Sequence, residues 1–169
     1  IFYFLFHRNN QKLKKDINNF FYPLDTVNNW NKLYGKNGFT QIQLLIKQNR
    51  NNKDLLIEII NYFSEKGFYS YLTTLKEYGE GNKNFLSFGE KGLSITLDIP
   101  LNNNFPKVYK EFEKKFNYQD IKIYLAKDSF MSQNFFKNTY PKLNNFIELQ
   151  KRVNSNSTFK SKLSQRLGL

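Results

Sequence analysis

The stretch GLSITLDIP, residues 92–100, carries the clearest alternating pattern in this chain of 169 residues. Apolar and polar side chains take turns along it, with Leu93, Ile95, Leu97 and Ile99 on one side and Ser94, Thr96 and Asp98 on the other. Alternation with a period of two over residues 93–100 predicts a β-strand that packs one face against a core and keeps the other face polar.

The segments on either side of this strand predict two βαβ halves. Further strands are expected at 39–47, 68–78 and 121–126, and helices at 52–67 and 105–116. Four glycines in 79–92 indicate a long hairpin connection between the second and third strands. The order βαββαβ is typical of a ferredoxin-like α+β fold, with an antiparallel sheet and both helices on one face. Extra C-terminal helices are expected after it, beginning near Pro141.

The strand order of this fold, 4-1-3-2, places the first and third strands at the centre of the sheet. Their sides away from the helices form a polar floor, which consists of Gln41, Gln43, Ser94, Thr96 and Asp98. Tyr124 and Lys76 are expected to join it from the two edges. An antiparallel sheet often leaves such a face to water. The alternative is that the uncharged amides and hydroxyls face a ligand or another domain.

Composition restricts the function further. The 26 Lys and Arg residues exceed the 14 Asp and Glu residues, so the formal charge is +12, and nearly all of the excess is lysine. The absence of Cys and the single His exclude a cysteine nucleophile, a disulfide framework and a multi-histidine metal site. Because nucleic-acid readers favour arginine, and Lys, Asn, Ile and Phe are abundant together, we interpret the basicity as compositional. The first residue, Ile1, favours a piece of a longer protein.

Several motifs, in one order along the chain, resemble the C-terminal part of decaprenylphosphoryl-β-D-ribose oxidases. These are FAD-dependent enzymes of the vanillyl-alcohol oxidase type, related to D-arabinono-1,4-lactone oxidases. The similar segments are FYPLD at 21–25, NWNKLYG at 29–35, GFTQIQ at 38–43, LKEYGEGN at 75–82, LSF at 86–88, the strand at 92–100, YLAKDS at 124–129, YP at 140–141 and RLGL at 166–169.

The resemblance implies a division of the chain and an activity. Residues 1–37 would connect to an upstream FAD-binding domain, and residues 38–169 would form the substrate, or cap, domain over the flavin ring. The implied reaction oxidises a secondary alcohol of a sugar or a polyprenyl-phosphate sugar, with hydride transfer to flavin N5. The upstream domain would bind most of the FAD, so this piece alone would be inactive. The implied location is cytoplasmic, with a lysine-rich surface at the anionic inner membrane.

The resemblance also assigns candidate site residues. Lys127 matches the functional lysine of the family, and Tyr124 beside it would help to hold or deprotonate the sugar hydroxyl. Gln41, Gln43 and Lys76 match positions that line the flavin and substrate cleft. In an extended strand Lys127 and Tyr124 would point to opposite faces, so the strand must end or bulge near residue 126.

The remaining candidates lie on the third strand. Ser94, Thr96 and Asp98 are expected to face the substrate or flavin. Mycobacterial members of the family carry cysteine at the position of Thr96 and asparagine at that of Ser94. Inhibitors that bond to that thiol should therefore find no target in this chain.

Two other functions are compatible with the pattern. A basic βαββαβ domain is also the RNA-recognition fold, and KGFYSY at 66–71 is weakly similar to its aromatic motif. That motif lies on the second strand here, and the floor lacks a stacking platform, so nucleic acid is not the expected partner. The other alternative is an interaction domain that has lost its upstream enzyme.

Overall fold

The structure is a computed structural model that describes Lys14 and residues 16–22, 28–48, 52–116 and 119–169. The chain divides into two compact units, Ile1–Leu33 and Tyr34–Leu169. In the first unit, helix α1 (Ile17–Phe21) begins where the carboxylate of Asp16 accepts hydrogen bonds from the amides of Asn18 and Asn19. Asp16 is thus an N-cap residue. The predicted connector at 1–37 lies partly outside the described residues.

The second unit is built on one four-stranded antiparallel sheet with the order β2-β3-β1-β4. Its strands are β1 (Phe39–Lys47), β2 (Thr73–Tyr78), β3 (Gly92–Pro100) and β4 (Ile121–Ile123). Helix α2 (Asn52–Glu65) connects β1 to β2, and α3 (Phe105–Lys115) connects β3 to β4. The predicted ferredoxin-like α+β fold is confirmed, including its strand order.

Three further helices follow the sheet. They are α4 (Gln133–Thr139), α5 (Leu143–Val153) and α6 (Lys162–Leu167), and a short 3-10 helix, Leu125–Lys127, precedes them. The sequence pattern predicted only α5 as an individual helix. Both of the others begin at a serine N-cap, Ser132 for α4 and Ser161 for α6, and these serines are the signals that could have found them.

The core lies between α2, α3 and one face of the sheet. Alternating apolar residues of β1 and β3 form the sheet side of this core, and the fully buried Ile59, Phe105 and Phe112 of the helices pack against them. The two helices are joined by a hydrogen bond that Tyr62 donates to the Val108 carbonyl oxygen over 2.9 Å. The apolar periodicity therefore predicted which face of the sheet the helices would cover.

Two strand boundaries were predicted wrongly. The second strand begins at Thr73 instead of residue 68, because Gly67 adopts a φ of +80° and the Phe68 amide donates back to the Phe63 carbonyl oxygen. The aromatic segment at 66–71 is consequently a turn and a loop. The fourth strand ends at Ile123, where the chain turns into the 3-10 helix. Within the described part of the chain, no helix has the length and apolar character needed to cross a membrane.

Candidate functional site

The polar floor lies on the face of the sheet opposite the two helices. Gln41 pairs with Asp98 across β1 and β3, and its side-chain amide donates a hydrogen bond of 2.6 Å to the Asp98 carboxylate. The amide of Gln43 donates to the Ser94 hydroxyl over 3.0 Å. The structure therefore brings these side chains together as a hydrogen-bonded network across the two central strands.

Most of the polar floor is buried by other residues of this chain. Gln43, Ser94 and Asp98 are 3%, 1% and 1% exposed, and Thr96 is 6% exposed. These four residues therefore form no open polar surface, and their assignment as substrate- or flavin-facing residues stays a prediction. Gln43 donates to Ser94 and to the Tyr78 hydroxyl, and Asp98 accepts from Gln41 and the Tyr34 hydroxyl. Of the five floor residues, Gln41 alone keeps partial exposure.

Tyr34 covers one end of the floor. It ends a 3-10 helix (Trp30–Tyr34), stacks on Phe39 with ring centroids 4.2 Å apart, and directs its hydroxyl to the Asp98 carboxylate at 3.4 Å. Burial, and then the neighbouring Asp98 charge, raises the pKa of Tyr34 to about 12. The phenol thus stays protonated and serves as a hydrogen-bond donor.

The segment 79–91, here called the glycine loop, covers the other end. Its buried Phe88 packs against the rings of Tyr78 and Tyr124, with centroid distances of 5.8 and 4.7 Å. A Cβ on Gly81 would lie 2.7 Å from the Gly89 carbonyl oxygen, so the loop depends on a close approach of its own backbone. Glycine at 81 is therefore a steric requirement of this loop.

Lys122 is a buried cation that the sequence interpretation missed. Its side chain is 7% exposed, and its ammonium lies 2.9 Å from a Glu90 carboxylate oxygen and 3.3 Å from the Ser87 carbonyl oxygen. The same ammonium lies 5.4 Å from the ring centroid of Tyr140. Its neighbours Ile121 and Ile123 both belong to the core, so strand alternation alone could have placed Lys122 on the floor side.

Tyr124 and Lys127 lie where β4 ends. The Tyr124 amide still donates to the Gln43 carbonyl oxygen over 2.9 Å, and the Lys127 amide donates to the Tyr124 carbonyl oxygen over 3.1 Å. The 3-10 helix thus interrupts the strand alternation that would have separated these two residues. In the described part of the chain, neither the Tyr124 hydroxyl nor the Lys127 ammonium makes a hydrogen bond or an ion pair, and both residues are partly exposed.

Lys76 lies opposite Ser94 in the register of β2 and β3. Unlike Ser94 it is exposed, because β2 is an edge strand of the sheet. The structure therefore places Lys76 at the rim of the floor and not within it.

The accessible polar groups of this region are the half-buried Gln41, Tyr124 and Lys127, with Lys76 at the rim. Such a set can hydrogen-bond a polyol or the edge of a planar ring. The described residues contain no group of three metal-ligating side chains. Gly79 and Gly81 belong to a loop between two strands, whereas phosphate-binding glycine motifs precede a helix. The accessible groups of this region are therefore hydrogen-bonding amide, hydroxyl and ammonium groups.

The known proteins that are similar to this chain include one extended match and one shorter match. The chain is 28% identical over 157 residues to decaprenylphosphoryl-beta-D-ribose oxidase of Mycolicibacterium smegmatis, which covers 92% of this chain and 33% of that protein. It is also 28% identical over 118 residues to an uncharacterized protein in the mprA 5' region of Streptomyces coelicolor, covering 69% of this chain and 32% of that protein. No protein-family model matches the chain. The chain thus spans about a third of the length of these relatives. Its similarity to the first of them supports a relationship to an oxidoreductase.

Proposed function

We propose that this chain is the substrate-facing part of an FAD-dependent oxidoreductase that oxidises a secondary alcohol of a sugar. The observation that carries the proposal is the similarity over 157 residues to a decaprenylphosphoryl-beta-D-ribose oxidase. The region around Tyr124 and Lys127 supports it, because it combines a closed hydrogen-bonded floor with accessible polar side chains at its margin.

The residues present fit the ring of a flavin. Gln41, Tyr124 and Lys127 are the partly exposed polar residues at the floor, and we expect them to face the flavin ring and the sugar. An upstream domain would bind the rest of the cofactor. When bound, the flavin supplies the acceptor for the hydride that leaves the alcohol carbon.

The two residues at the end of β4 would act on the alcohol group. Lys127 and Tyr124 would hold the sugar hydroxyl so that the C–H bond on the same carbon points at the acceptor. Their contribution would be to orient the substrate. The hydroxyl proton would pass to water, or to Lys127 in its neutral amine form, and the alcohol carbon would become a carbonyl carbon. The buried contacts of Gln43 and Asp98 would keep the neighbouring floor rigid and free of water.

Visible absorbance tests the cofactor assignment. The protein expressed from its natural start is compared with the 169-residue chain. We expect flavin bands in the longer protein and none in the chain alone. A colourless longer protein, even after FAD is added, would refute the proposal.

Flavin bleaching under anaerobic conditions then identifies the substrate class. We expect bleaching by a sugar with a free secondary alcohol, either free or linked to a polyprenyl phosphate. Comparing the two forms separates a soluble substrate from a lipid-linked one. Sedimentation with anionic vesicles measures whether the lysine-rich surface holds the enzyme at a membrane.

The RNA-binding alternative has less support. The polar side of β1 carries one aromatic residue, Phe39, but its ring is already stacked on Tyr34, and most of the floor is buried. A salt-dependent shift with single-stranded RNA would revive it. Unchanged turnover after Lys127→Ala in an active longer protein would instead favour an interaction role for this chain.

A further inference from the structure

The carboxylate of Asp128, the residue after Lys127, is held on both oxygens. Its side chain is 1% exposed. One oxygen accepts hydrogen bonds from the amides of Phe130 at 3.0 Å and Met131 at 2.7 Å. The other receives the guanidinium of Arg166 at 2.6 Å. A buried carboxylate with this many donors fixes the backbone around it.

Arg166 also hydrogen-bonds the main chain of the same segment. Its guanidinium donates to the Asp128 carbonyl oxygen at 3.3 Å and also to the Met131 carbonyl oxygen. The planar fork of arginine makes these bonds from two separate nitrogens, whereas a lysine would have to make them from a single nitrogen. One residue near the end of the chain therefore holds three acceptors of the segment 128–131.

Helix α6, which carries Arg166, is itself fixed at both ends. Ser161 and Ser164 form a capping box at its start. At its end Leu167 is fully buried, and Gly168 takes a left-handed φ of +76° against the side chain of Gln133. Arg166 is therefore presented to Asp128 from a fixed position.

The held segment is continuous with the turn that carries Lys127. The Asp128 amide donates to the Leu125 carbonyl oxygen at 3.3 Å, which closes the 3-10 helix. The Tyr124 end of this helix is tied to β1 through Gln43, so the turn is anchored on one side by the sheet and on the other by Arg166. We propose that Arg166 is a positioning residue, which holds Asp128 and thereby fixes the turn that presents Lys127 to the substrate.

The inference rests on the proposed function, since it takes Lys127 to contact the substrate. A double-mutant cycle in the full-length protein tests it. Arg166→Gln is made in the wild-type and in the Lys127→Met background, with Arg152→Gln, an exposed arginine of α5, as the matched control.

We expect Arg166→Gln to lower kcat about tenfold or more in the wild type, since small misplacements of reacting groups have effects of this size. In the Lys127→Met background it should cause almost no further loss, because it acts through Lys127. Arg152→Gln should change neither. An equal loss in both backgrounds would show a merely structural role and overturn the inference.

Hydrogen exchange gives a readout that does not depend on turnover. In the full-length protein, Arg166→Gln should speed exchange of the Phe130 and Met131 amides several-fold, relative to Arg152→Gln. Unchanged exchange would overturn the inference. Arg166→Lys, which keeps the charge but loses the planar guanidinium, is measured in parallel. It should show the same changes to a smaller extent. It therefore allows the test even if the Gln variant does not fold. If the full-length protein oxidises no sugar alcohol, the proposed function fails, whereas the exchange result still decides whether Arg166 fixes the turn.

Discussion

The ammonium of Lys122 and the carboxylate of Glu90 lie 2.9 Å apart. They link the loop between β2 and β3 to β4, the strand at the other edge of the sheet. Glu90 belongs to the glycine loop, which connects β2 to β3, whereas Lys122 belongs to the edge strand β4 beyond β1. The ion pair therefore crosses the polar face above β1. It fixes the loop that places Phe88 against Tyr124.

The two residues of this ion pair are buried to different extents, so replacing one or the other should lower the free energy of unfolding by different amounts. Lys122 is 7% exposed, whereas Glu90 is 38% exposed. Glu90→Gln would leave a buried ammonium without its counter-charge, at a cost of about 2 kcal/mol, whereas Lys122→Met should cost about 1 kcal/mol because Glu90 can turn to water. Urea denaturation measures both variants, and hydrogen exchange at 87–90 should rise in both. A larger loss for Lys122→Met would contradict this reading of the pair.

Lys127 should be required for turnover but not for folding. In the full-length protein we expect Lys127→Met to lower kcat about 100-fold, the usual scale for loss of a positioned acid, base or orienting group. Tyr124→Phe should lower it less, because the ring and its contact with Phe88 remain. Lys107→Met, at an exposed position of α3, is the matched control and should leave kcat and flavin absorbance unchanged. Full turnover by Lys127→Met would remove Lys127 from the site.

Two buried tyrosines should respond in opposite ways to loss of the hydroxyl. The Tyr109 hydroxyl is buried and has no hydrogen-bond partner in the described part of the chain, whereas Tyr140 donates to the Ile123 carbonyl oxygen at 2.6 Å. Because an unsatisfied buried hydroxyl is costly, Tyr109→Phe should stabilise the protein by about 1 kcal/mol. Tyr140→Phe should destabilise it by about the same amount. Thermal unfolding measures both, and a loss of stability in Tyr109→Phe would indicate a buried partner for that hydroxyl.

Glu113 should make stability depend on pH. Burial raises its pKa above the ordinary value of 4.5, although the Ser132 amide, which donates to its carboxylate at 2.7 Å, opposes the rise. With a folded pKa above the unfolded one, the folded state favours the protonated form, so this group adds stability as the pH falls through the folded pKa towards 4.5.

Replacement of Glu113 isolates this effect. Glu113→Gln keeps an oxygen for the Ser132 amide and removes the buried charge. It should raise the melting temperature at neutral pH, and the gain should shrink as the pH approaches 4.5. Glu111→Gln, on the same helix in a more exposed ion pair with Lys66, is the control. A gain that is constant with pH would exclude Glu113 as its source.

Substitution of Gly67 and Gly168 should distinguish the cost of a left-handed backbone from the cost of a steric clash. Gly67 and Gly168 have φ values of +80° and +76°, but only at Gly168 would a Cβ meet another atom, the Gln133 amide nitrogen at 1.7 Å. Gly67→Ala should cost about 1 kcal/mol for the left-handed backbone alone. Gly168→Ala should cost more, and Gln133→Ala in the same chain should recover only the excess. Equal losses at the two glycines would mean that Gln133 moves aside freely.

The parts of the fold that the sequence predicted are those set by local periodicity. The alternation in β1 and β3 predicted the two faces of the sheet, because a period of two leaves little freedom of register. The start of β2 was missed because Gly67 and the fold-back of Phe68 depend on contacts with α2.

The candidate site was harder to predict because its closure is tertiary. Nothing local to β3 indicates that Tyr34 and the glycine loop cover Asp98 and Ser94. The bonds from Arg166 to Asp128 join segments that are far apart in the chain, so no spacing rule reveals them. Lys122 is different, because it stands between Ile121 and Ile123 in the sequence. Strand alternation therefore already placed it on the side of the sheet opposite these two core residues.

The exposed edge of β2 has a consequence for self-association. Its residues Thr73–Tyr78 read TTLKEY, a segment with the β-branched and aromatic character that favours pairing with another strand. Lys76 and Glu77 place a positive and a negative charge in the middle of that edge, and both are exposed. Charged side chains on an edge strand discourage a second sheet from adding to it. Lys76 therefore has a reason to be charged that is independent of catalysis: it helps to keep copies of this chain apart while the sheet is forming.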